Sequence, residues 1–209
     1  QPCYEGGGDY SDLIPTDRGT WGLVVGDVSG KGVSAALVAS NLQAYLWSRR
    51  NDPSPLSTIM AEANDLLRTL ARGRKYATLV VAEWSAESQT LTWVNAGHPP
   101  MILKAAGALR RCAATGIPLG LLRDRDYTQE SARLEPGDLL LLLTDGVTEA
   151  ANGAPGEEFG IERAEDCFQG VTGSAELVEA LSARLREYMA GAEPKDDVTV
   201  LCARCAPAK

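Results

Sequence analysis

Two helix-like segments follow each other directly, with strand-like segments before and after them, and this order constrains the fold of the chain most strongly. Residues 33–49 are rich in Ala and Leu, and apolar side chains recur at helical spacing through residues 56–70. Between them the sequence predicts a break, with Ser54 as the N-cap of the second helix and Pro55 as its first residue. Paired helices between groups of strands favour a layered α+β sandwich over a regular βαβ alternation.

Short apolar segments bounded by turn residues predict the strands. They are residues 21–28, 76–84, 91–95, 101–104, 139–144 and 198–202. A turn at residues 97–100 is consistent with a meander through the strands on either side of it. Residues 175–189 predict a third helix, because Leu177, Leu181 and Leu185 share one of its faces.

Charge and apolar content exclude several classes of protein. The net charge of -8 argues against a nucleic-acid partner, because phosphate backbones attract Lys and Arg. The longest apolar run, residues 139–143, is far shorter than the roughly 20 residues of a membrane span. We therefore expect no membrane insertion of this chain and a cytoplasmic location.

The cysteines do not suggest a disulfide framework. Their number is odd and their spacing irregular, which is not the pattern of a cross-linked secreted domain. They are Cys3, Cys112, Cys167, Cys202 and Cys205. The last two have C-x-x-C spacing, but no second Cys or His pair completes a zinc site, so we interpret them as packing residues.

Several aspartates occupy similar local positions. Asp9 follows three glycines, and Asp27 lies at the end of a predicted strand, before the glycine-containing turn at residues 29–32. Asp145 ends the leucine-rich strand and precedes Gly146, and Asp196 with Asp197 precedes the last strand. Carboxylates at strand ends can meet at one sheet edge, and oxygen ligands without His or Cys favour hard cations such as Mg²⁺ or Mn²⁺. Two such ions can activate a water for an in-line phosphoryl displacement. Asp beside Gly is also ordinary turn chemistry, so a two-metal site and a set of turns are both open.

Other candidate groups suggest structure rather than chemistry. The single histidine, His98, lies in a turn, and no G-x-S-x-G motif supplies a nucleophile for it. Residues 29–32 lack the spacing of a phosphate-binding P-loop. We interpret the cluster of Arg72, Arg74 and Lys75 as solvated side chains at the end of a helix rather than as a binding patch.

Six segments, taken together, resemble a known family. They are residues 7–12, 26–32, 95–100, 116–120, 144–150 and 196–200. In this order they resemble the protein phosphatase 2C (PPM) family, in its bacterial SpoIIE/RsbU-type branch, over nearly the whole chain. The resemblance implies a four-layer α+β sandwich of two antiparallel sheets flanked by helix pairs. It also implies that residues 1–209 are a single phosphatase domain, excised from a larger multidomain regulator.

The resemblance further implies a site for two divalent cations, Mn²⁺ or Mg²⁺. The implied ligands are Asp9, Asp27, Asp145, Asp196 and the backbone carbonyl of Val28. Asp27 would bridge both cations, Asp145 and Asp196 would complete the first, and Asp9 with Val28 would hold the second. Asp197 would lie behind the ligands, and the choice between Asp196 and Asp197 as the direct ligand stays open. A water activated by the metals would attack phosphorus directly.

The implied activity is hydrolysis of phosphoserine or phosphothreonine on a partner protein, which in this branch is usually an anti-sigma-factor antagonist. A sensor domain in the same polypeptide is expected, and association into a homodimer is left open. One alternative is a catalytically weak PPM-fold binding module, which is disfavoured because all four aspartate positions are filled. Another is a hydrolase of small phosphate esters that uses the same site.

Overall fold

A computed structural model describes residues 7–123, 125–153 and 156–206, so Cys3 lies outside the described residues. They fold into two compact units. The first unit comprises residues 7–98 and 113–134, and the second comprises residues 99–112 and 135–206. The predicted fold class is confirmed, because the chain is α+β with two antiparallel sheets and helices.

The elements run along the chain in an order that separates strands from helices. The strands are β1 (Asp9–Pro15), β2 (Thr20–Val28), β3 (Ala77–Ser85), β4 (Thr90–Ala96), β5 (Met101–Ala105), β6 (Ala108–Cys112), β7 (Glu130–Arg133), β8 (Leu139–Leu143) and β9 (Val200–Arg204). The helices are α1 (Val33–Arg49), α2 (Leu56–Ala71), α3 (Asp145–Thr148), α4 (Gly160–Asp166) and α5 (Ser174–Met189).

The first unit is a five-stranded sheet, in the order β1-β2-β3-β4-β7, with α1 and α2 on one face. Residues of alternating position on the strands, such as Val24 and Val81, form its buried core with Leu42 and Met60 of the helices. Burying a side chain of this size stabilises the fold by roughly 1.5–3 kcal/mol, so the apolar face of the helices fixes them on the sheet.

One polar group lies among the apolar residues between β1 and α1. The Asp12 carboxylate accepts hydrogen bonds from Trp47 Nε1 at 2.7 Å and from Gln43 Nε2 at 3.2 Å, and the Leu13 amide donates to it at 2.8 Å. Partial burial alone would raise the pKa of Asp12, but these hydrogen bonds, that from Trp47 foremost, lower it below its usual value. Asp12 therefore ties α1 to the edge strand.

The start of α2 differs from the prediction. The N-cap is Pro55, with φ of -54° and ψ of 145°, so the helix begins at Leu56 and Ser54 lies before the cap. The Pro55 carbonyl accepts from the Thr58 and Ile59 amides, which begins the helical hydrogen-bond pattern one residue later than expected. The Ser54 amide instead donates to the Asp52 carboxylate at 2.8 Å, which explains the turn before the helix.

The second unit is a four-stranded antiparallel sheet, in the order β6-β5-β8-β9, with α5 packed on β9. The five leucines of β8 are all buried, as expected for a central strand with neighbours on both edges. Ile102 and Leu141 pack with Phe159 and Leu181 in its core. Lys104 Nζ donates to the carbonyls of Phe168 and Val171, which attaches the connection between α4 and α5 to the sheet.

The predicted meander is wrong at one step. β3 and β4 do pair, but β5 belongs to the other sheet, where it pairs with β6 and β8. At the turn, Gly97 has φ of 68° and lies against Pro118, with Pro99 and Pro100 following. Prolines have no N–H to donate to a ladder, so the connection from β4 to β5 cannot extend a ladder between them.

Asp12 gives a test of this packing. We expect Asp12→Ala to lower the free energy of unfolding by about 2 kcal/mol, because Trp47 Nε1 loses its partner. The stabilising contribution of a carboxylate with a lowered pKa is present above the unfolded pKa of about 3.9 and is lost as pH falls through the folded pKa. Urea unfolding from pH 3 to pH 7 should therefore show wild type and variant converging at acid pH. Ser11→Ala, an exposed change on the same strand, should leave stability unchanged at every pH, and an equal loss in both variants would contradict this role.

Candidate metal centre

The predicted site residues belong to both units. The predicted ligands Asp9, Asp27 and Val28 lie in the first unit, and the predicted ligands Asp145 and Asp196, with Asp197, lie in the second. Each group is brought together by a different part of the chain.

In the first unit, strand pairing places Asp9 beside Asp27. They are register partners in the antiparallel ladder of β1 and β2, so their side chains leave the same face of the sheet. Val28, the next residue, faces the helices and is buried, and this alternation puts Asp9 and Asp27 on the opposite face. Both carboxylates are partly exposed, as a ligand that must meet a cation from solution requires.

Three oxygen atoms of the first unit converge on Gly8. A methyl group at Gly8 would lie 2.6 Å from the Val28 carbonyl oxygen, 2.8 Å from Asp27 Oδ1 and 3.4 Å from the Gly30 carbonyl oxygen. The Val28 amide also donates to the Gly8 carbonyl at 3.2 Å, which holds the two segments together. The absence of a side chain at Gly8 therefore leaves a cradle lined by oxygen.

In the second unit, the backbone around Asp145 lies against the segment that contains Asp196 and Asp197. The predicted strand of residues 139–144 ends at Leu143, and Thr144 caps the short helix α3, of which Asp145 is the first residue. The Thr199 amide donates to Thr144 Oγ1 at 3.0 Å, and the Thr144 amide donates to the Thr199 carbonyl at 3.1 Å. A methyl group at Gly146 would collide with the Asp197 carbonyl oxygen, so only glycine allows this approach.

Negative charge is concentrated around Asp145 in the second unit. Partial burial raises the pKa of Glu149, and the nearby carboxylates of Asp145, Glu158 and Asp196 raise it further. Asp196 is exposed and its Oδ1 accepts from the Asp197 amide at 3.0 Å, whereas Asp197 is 95% buried, with an exposed fraction of 5%. The charge of Asp196 thus bears on Glu149, whereas Asp197 is buried.

The donor chemistry fits a hard divalent cation. The groups that converge in each half are carboxylate and carbonyl oxygens, which Mg²⁺ and Mn²⁺ prefer, and the cradle at Gly8 brings them close without a side chain between them. Among residues 7–123, 125–153 and 156–206, no three His, Cys, Asp or Glu side chains form a ready-made metal-binding group.

The remaining candidates divide between structure and an unexpected contact. His98 is 3% exposed, its Nδ1 lies 2.8 Å from Thr78 Oγ1 and its amide donates to Asn95 Oδ1, all of which supports a structural role. Arg72 and Arg74 are exposed, as expected of a solvated helix end. Lys75 differs from that prediction, because it is partly buried and its Nζ donates to the Ser29 carbonyl at 2.8 Å.

Sequence reasoning missed Glu149 and assigned Lys75 to a solvated helix end. Glu149 lies within residues 144–150, and a carboxylate four residues after Asp145 returns to its side of a helical turn. Lys75 could have been found from its position just before a strand that pairs with the strand of Asp27. No disulfide joins the cysteines within the described residues.

Comparison with known proteins identifies the family. The model of the family described as Stage II sporulation protein E (SpoIIE) matches residues 17–206. The chain belongs to the SpoIIE family. The resemblance to the SpoIIE/RsbU-type branch of the PP2C phosphatases is thereby confirmed.

Individual relatives agree with this assignment. The chain is 28% identical to the phosphoserine phosphatase RsbU of Bacillus subtilis over 150 residues, which cover 71% of this chain and 44% of that protein. The solved RsbU and RsbW domains of Rv1364c from Mycobacterium tuberculosis share 29% identity with a TM-score of 0.81, covering 99% of this chain and 57% of theirs. The PP2C domain of SiaA from Pseudomonas aeruginosa shares the fold, with 22% identity, a TM-score of 0.85 and coverage of 98% and 83%.

The chain thus spans less than half the length of RsbU. In the part of the chain that the structure describes, no helix combines the length and the apolarity needed to cross a bilayer.

The cradle at Gly8 can be tested directly. We expect Gly8→Ala to weaken Mn²⁺ binding at least tenfold, because the new methyl group would displace the Val28 carbonyl or the Asp27 carboxylate. Isothermal titration calorimetry with Mn²⁺ measures this, and circular dichroism checks that the fold is retained. Gly173→Ala is the matched control, since a methyl group there meets nothing closer than 3.9 Å. Unchanged Mn²⁺ affinity in folded Gly8→Ala would show that the cradle is not a cation site.

Proposed function

We propose that this chain is a metal-dependent phosphoprotein phosphatase that hydrolyses phosphoserine or phosphothreonine on a partner protein. The observation that carries the proposal is the oxygen cradle at Gly8, formed by groups of the same segments that define the family resemblance. Membership of the SpoIIE family and 28% identity to a phosphoserine phosphatase support the reaction type.

The proposed ligands are the five of the sequence analysis, taken from both units. Asp27 would bind two divalent cations, Mn²⁺ or Mg²⁺. Asp145 and Asp196 would hold the first, Asp9 with the Val28 carbonyl would hold the second, and Asp197 would support the ligands of the first. When bound, such cations supply a nucleophile at neutral pH by lowering the pKa of a water, and they offset the negative charge of the phosphoryl group.

The protein groups would have three tasks in this mechanism. The paired strands β1 and β2 present Asp9 and Asp27 on one face without further ordering, so little entropy is lost when ligands are bound. The glycines at residues 8 and 146 have no side chain, so backbone carbonyl oxygens of neighbouring segments can lie close to them. Thr144 holds the Asp145 segment against the segment of Asp196, and so keeps acidic groups together that would otherwise repel each other.

The substrate class is the finer part of the proposal. We propose a phosphoserine on an anti-sigma-factor antagonist as the natural substrate, and a sensor in the same polypeptide as the source of control. The substrate follows the branch that the chain resembles. The sequence itself predicts no deep apolar pocket with converging polar groups, so we expect selectivity to come from docking of a protein.

Asp27→Asn tests the metal mechanism. The change keeps the shape of the side chain but removes a negative charge and one oxygen ligand, so we expect turnover of an aryl phosphate to fall by at least a hundredfold at any Mn²⁺ concentration. Asp9→Asn, which affects one cation, should be partly restored by raising Mn²⁺. The melting temperature without metal should stay level or rise in both variants, because removing one of several like charges relieves repulsion.

The controls for this experiment are the chelator and Asp17→Asn, an exposed aspartate in the turn between β1 and β2, at the end of this hairpin opposite to Asp9 and Asp27. Chelator should abolish wild-type turnover and added Mn²⁺ should restore it. Near-normal turnover of Asp27→Asn, or full wild-type activity in excess chelator, would overturn the mechanism. Mn²⁺ binding without any turnover would instead indicate the binding-module alternative.

A substrate comparison tests the partner class. Because docking supplies the selectivity, kcat/KM for a phosphoserine-bearing anti-sigma-factor antagonist should exceed that for free phosphoserine by at least a hundredfold. The measurement is phosphate release at saturating Mn²⁺ from both substrates and from the same antagonist after heat denaturation. Equal efficiency on all three would favour the hydrolase of small phosphate esters.

A further inference from the structure

The chain that leaves α2 is hydrogen-bonded to the turn that follows the proposed ligands Asp27 and Val28. The Ser29 amide donates to the Tyr76 carbonyl at 2.9 Å, and the Tyr76 amide donates to Ser29 Oγ at 3.0 Å. Lys75 Nζ donates to the Ser29 carbonyl at 2.8 Å. Three hydrogen bonds thus hold one residue of the turn to two residues that precede β3.

These bonds fix the direction of the Val28 carbonyl. In a trans peptide the N–H and the C=O point in opposite directions from one rigid plane. The plane between Val28 and Ser29 has its N–H bonded to Tyr76, so its C=O must point away from Tyr76. It points to the cradle, where it lies 2.6 Å from the position of a methyl group on Gly8.

The next peptide plane, between Ser29 and Gly30, has its carbonyl on the side opposite to that of Val28. Its C=O, that of Ser29, points to Lys75 Nζ, which also lies 3.0 Å from the position of a methyl group on Gly30. Gly30 has φ of 84°, which turns the chain again and brings its own carbonyl back to the cradle side, 3.4 Å from the methyl position on Gly8. Successive carbonyls therefore alternate, with Val28 and Gly30 facing the cradle and Ser29 facing Lys75.

We propose that Lys75 and Ser29 are positioning residues that hold the Val28 carbonyl ready for a divalent cation. This inference rests on the proposed function and adds two residues that act through Val28 rather than by touching the cation. Without the bond to Lys75, the Ser29 carbonyl would be free to rotate, and rotation of its peptide plane would disturb the neighbouring plane that carries the ligand.

A simple electrostatic role for Lys75 predicts the opposite effect. An ammonium group near a cation site repels the cation, so removing its charge should strengthen Mn²⁺ binding if charge were its only contribution. Loss of positioning should weaken Mn²⁺ binding instead. Ser29→Ala separates the two roles further, because it removes the hydrogen bond from the Tyr76 amide to Ser29 Oγ without changing any charge.

The experiment is calorimetric titration of the protein with Mn²⁺ alone, together with the melting temperature of each variant without metal. Lys75→Met removes the donor and keeps the length of the chain, and we expect it to weaken Mn²⁺ binding about tenfold, the size of one lost hydrogen bond to a charged group. Ser29→Ala should weaken it about threefold, since water can replace the hydroxyl at the exposed residue Tyr76. Melting temperatures without metal should change little.

Two further variants serve as controls. Lys75→Arg keeps a charged donor and should retain affinity within about threefold of wild type. Arg74→Met removes a positive charge from the adjacent exposed residue and should leave Mn²⁺ affinity unchanged or slightly higher. In steady-state assays Lys75→Met should raise the half-saturating Mn²⁺ concentration while kcat at saturating Mn²⁺ stays within about twofold, because the bound site is the same.

The outcomes separate this inference from the function on which it rests. If wild type binds no Mn²⁺ and shows no Mn²⁺-dependent turnover, the proposed function fails. If wild type does both but Lys75→Met and Ser29→Ala bind Mn²⁺ as wild type does, or more tightly, the positioning role is wrong and the metal site stands. A parallel fall in affinity and in the melting temperature without metal would assign both residues to general stability, and would also overturn the positioning role.

Discussion

The pairing of β2 with a strand on each side is the interaction on which the candidate centre depends. On one side, register with β1 sets Asp27 opposite Asp9, and on the other, register with β3 sets Asp27 opposite Thr78. A strand fixed along both edges cannot slip, because a shift of one residue would turn every buried side chain of the sheet towards the other face. The bonds between Ser29 and Tyr76 continue this pairing one residue beyond the ladder, into the turn itself.

Close approach of backbone oxygen is the second constraint, and both halves meet it with glycine. Gly8 admits the Val28 carbonyl and Gly146 admits that of Asp197, although neither glycine has a φ in the left-handed region. Their role is therefore to leave space rather than to relieve backbone strain. Any side chain at either position would push the two backbone segments apart. Glycine is therefore required there by the short distance between backbones and not by the type of turn.

The sequence predicts most accurately those helices and strands whose own apolar residues show the spacing of the element. α1 has the predicted bounds, and β2 and α5 begin one residue earlier than predicted, because apolar spacing within each segment decides its structure. β1 was not predicted, since Asp12 occupies an inward position and interrupts the apolar alternation. The edge strands β6 and β7 consist mainly of exposed residues, so only their partners β5 and β4 make them strands. Six short segments of the sequence indicated the aspartates. The contact of Lys75 could not be predicted in this way, because its partner, the Ser29 carbonyl, lies 46 residues away.

In both units, repulsion between acidic groups and the hydrogen bonds that fix the nearby backbone act on the same residues. Acidic groups held close to one another repel, and in the second unit partial burial, together with the charges of Asp145, Glu158 and Asp196, raises the pKa of Glu149. Hydrogen bonds such as those of Thr144 and Ser29 offset this repulsion by fixing neighbouring backbone without adding charge. A cation that met such groups would find its ligands already oriented, so more of its binding free energy would remain for affinity. Residues that orient backbone carbonyls therefore contribute to metal affinity in this proposal, although they carry no ligand atom and leave no metal-binding motif in the sequence.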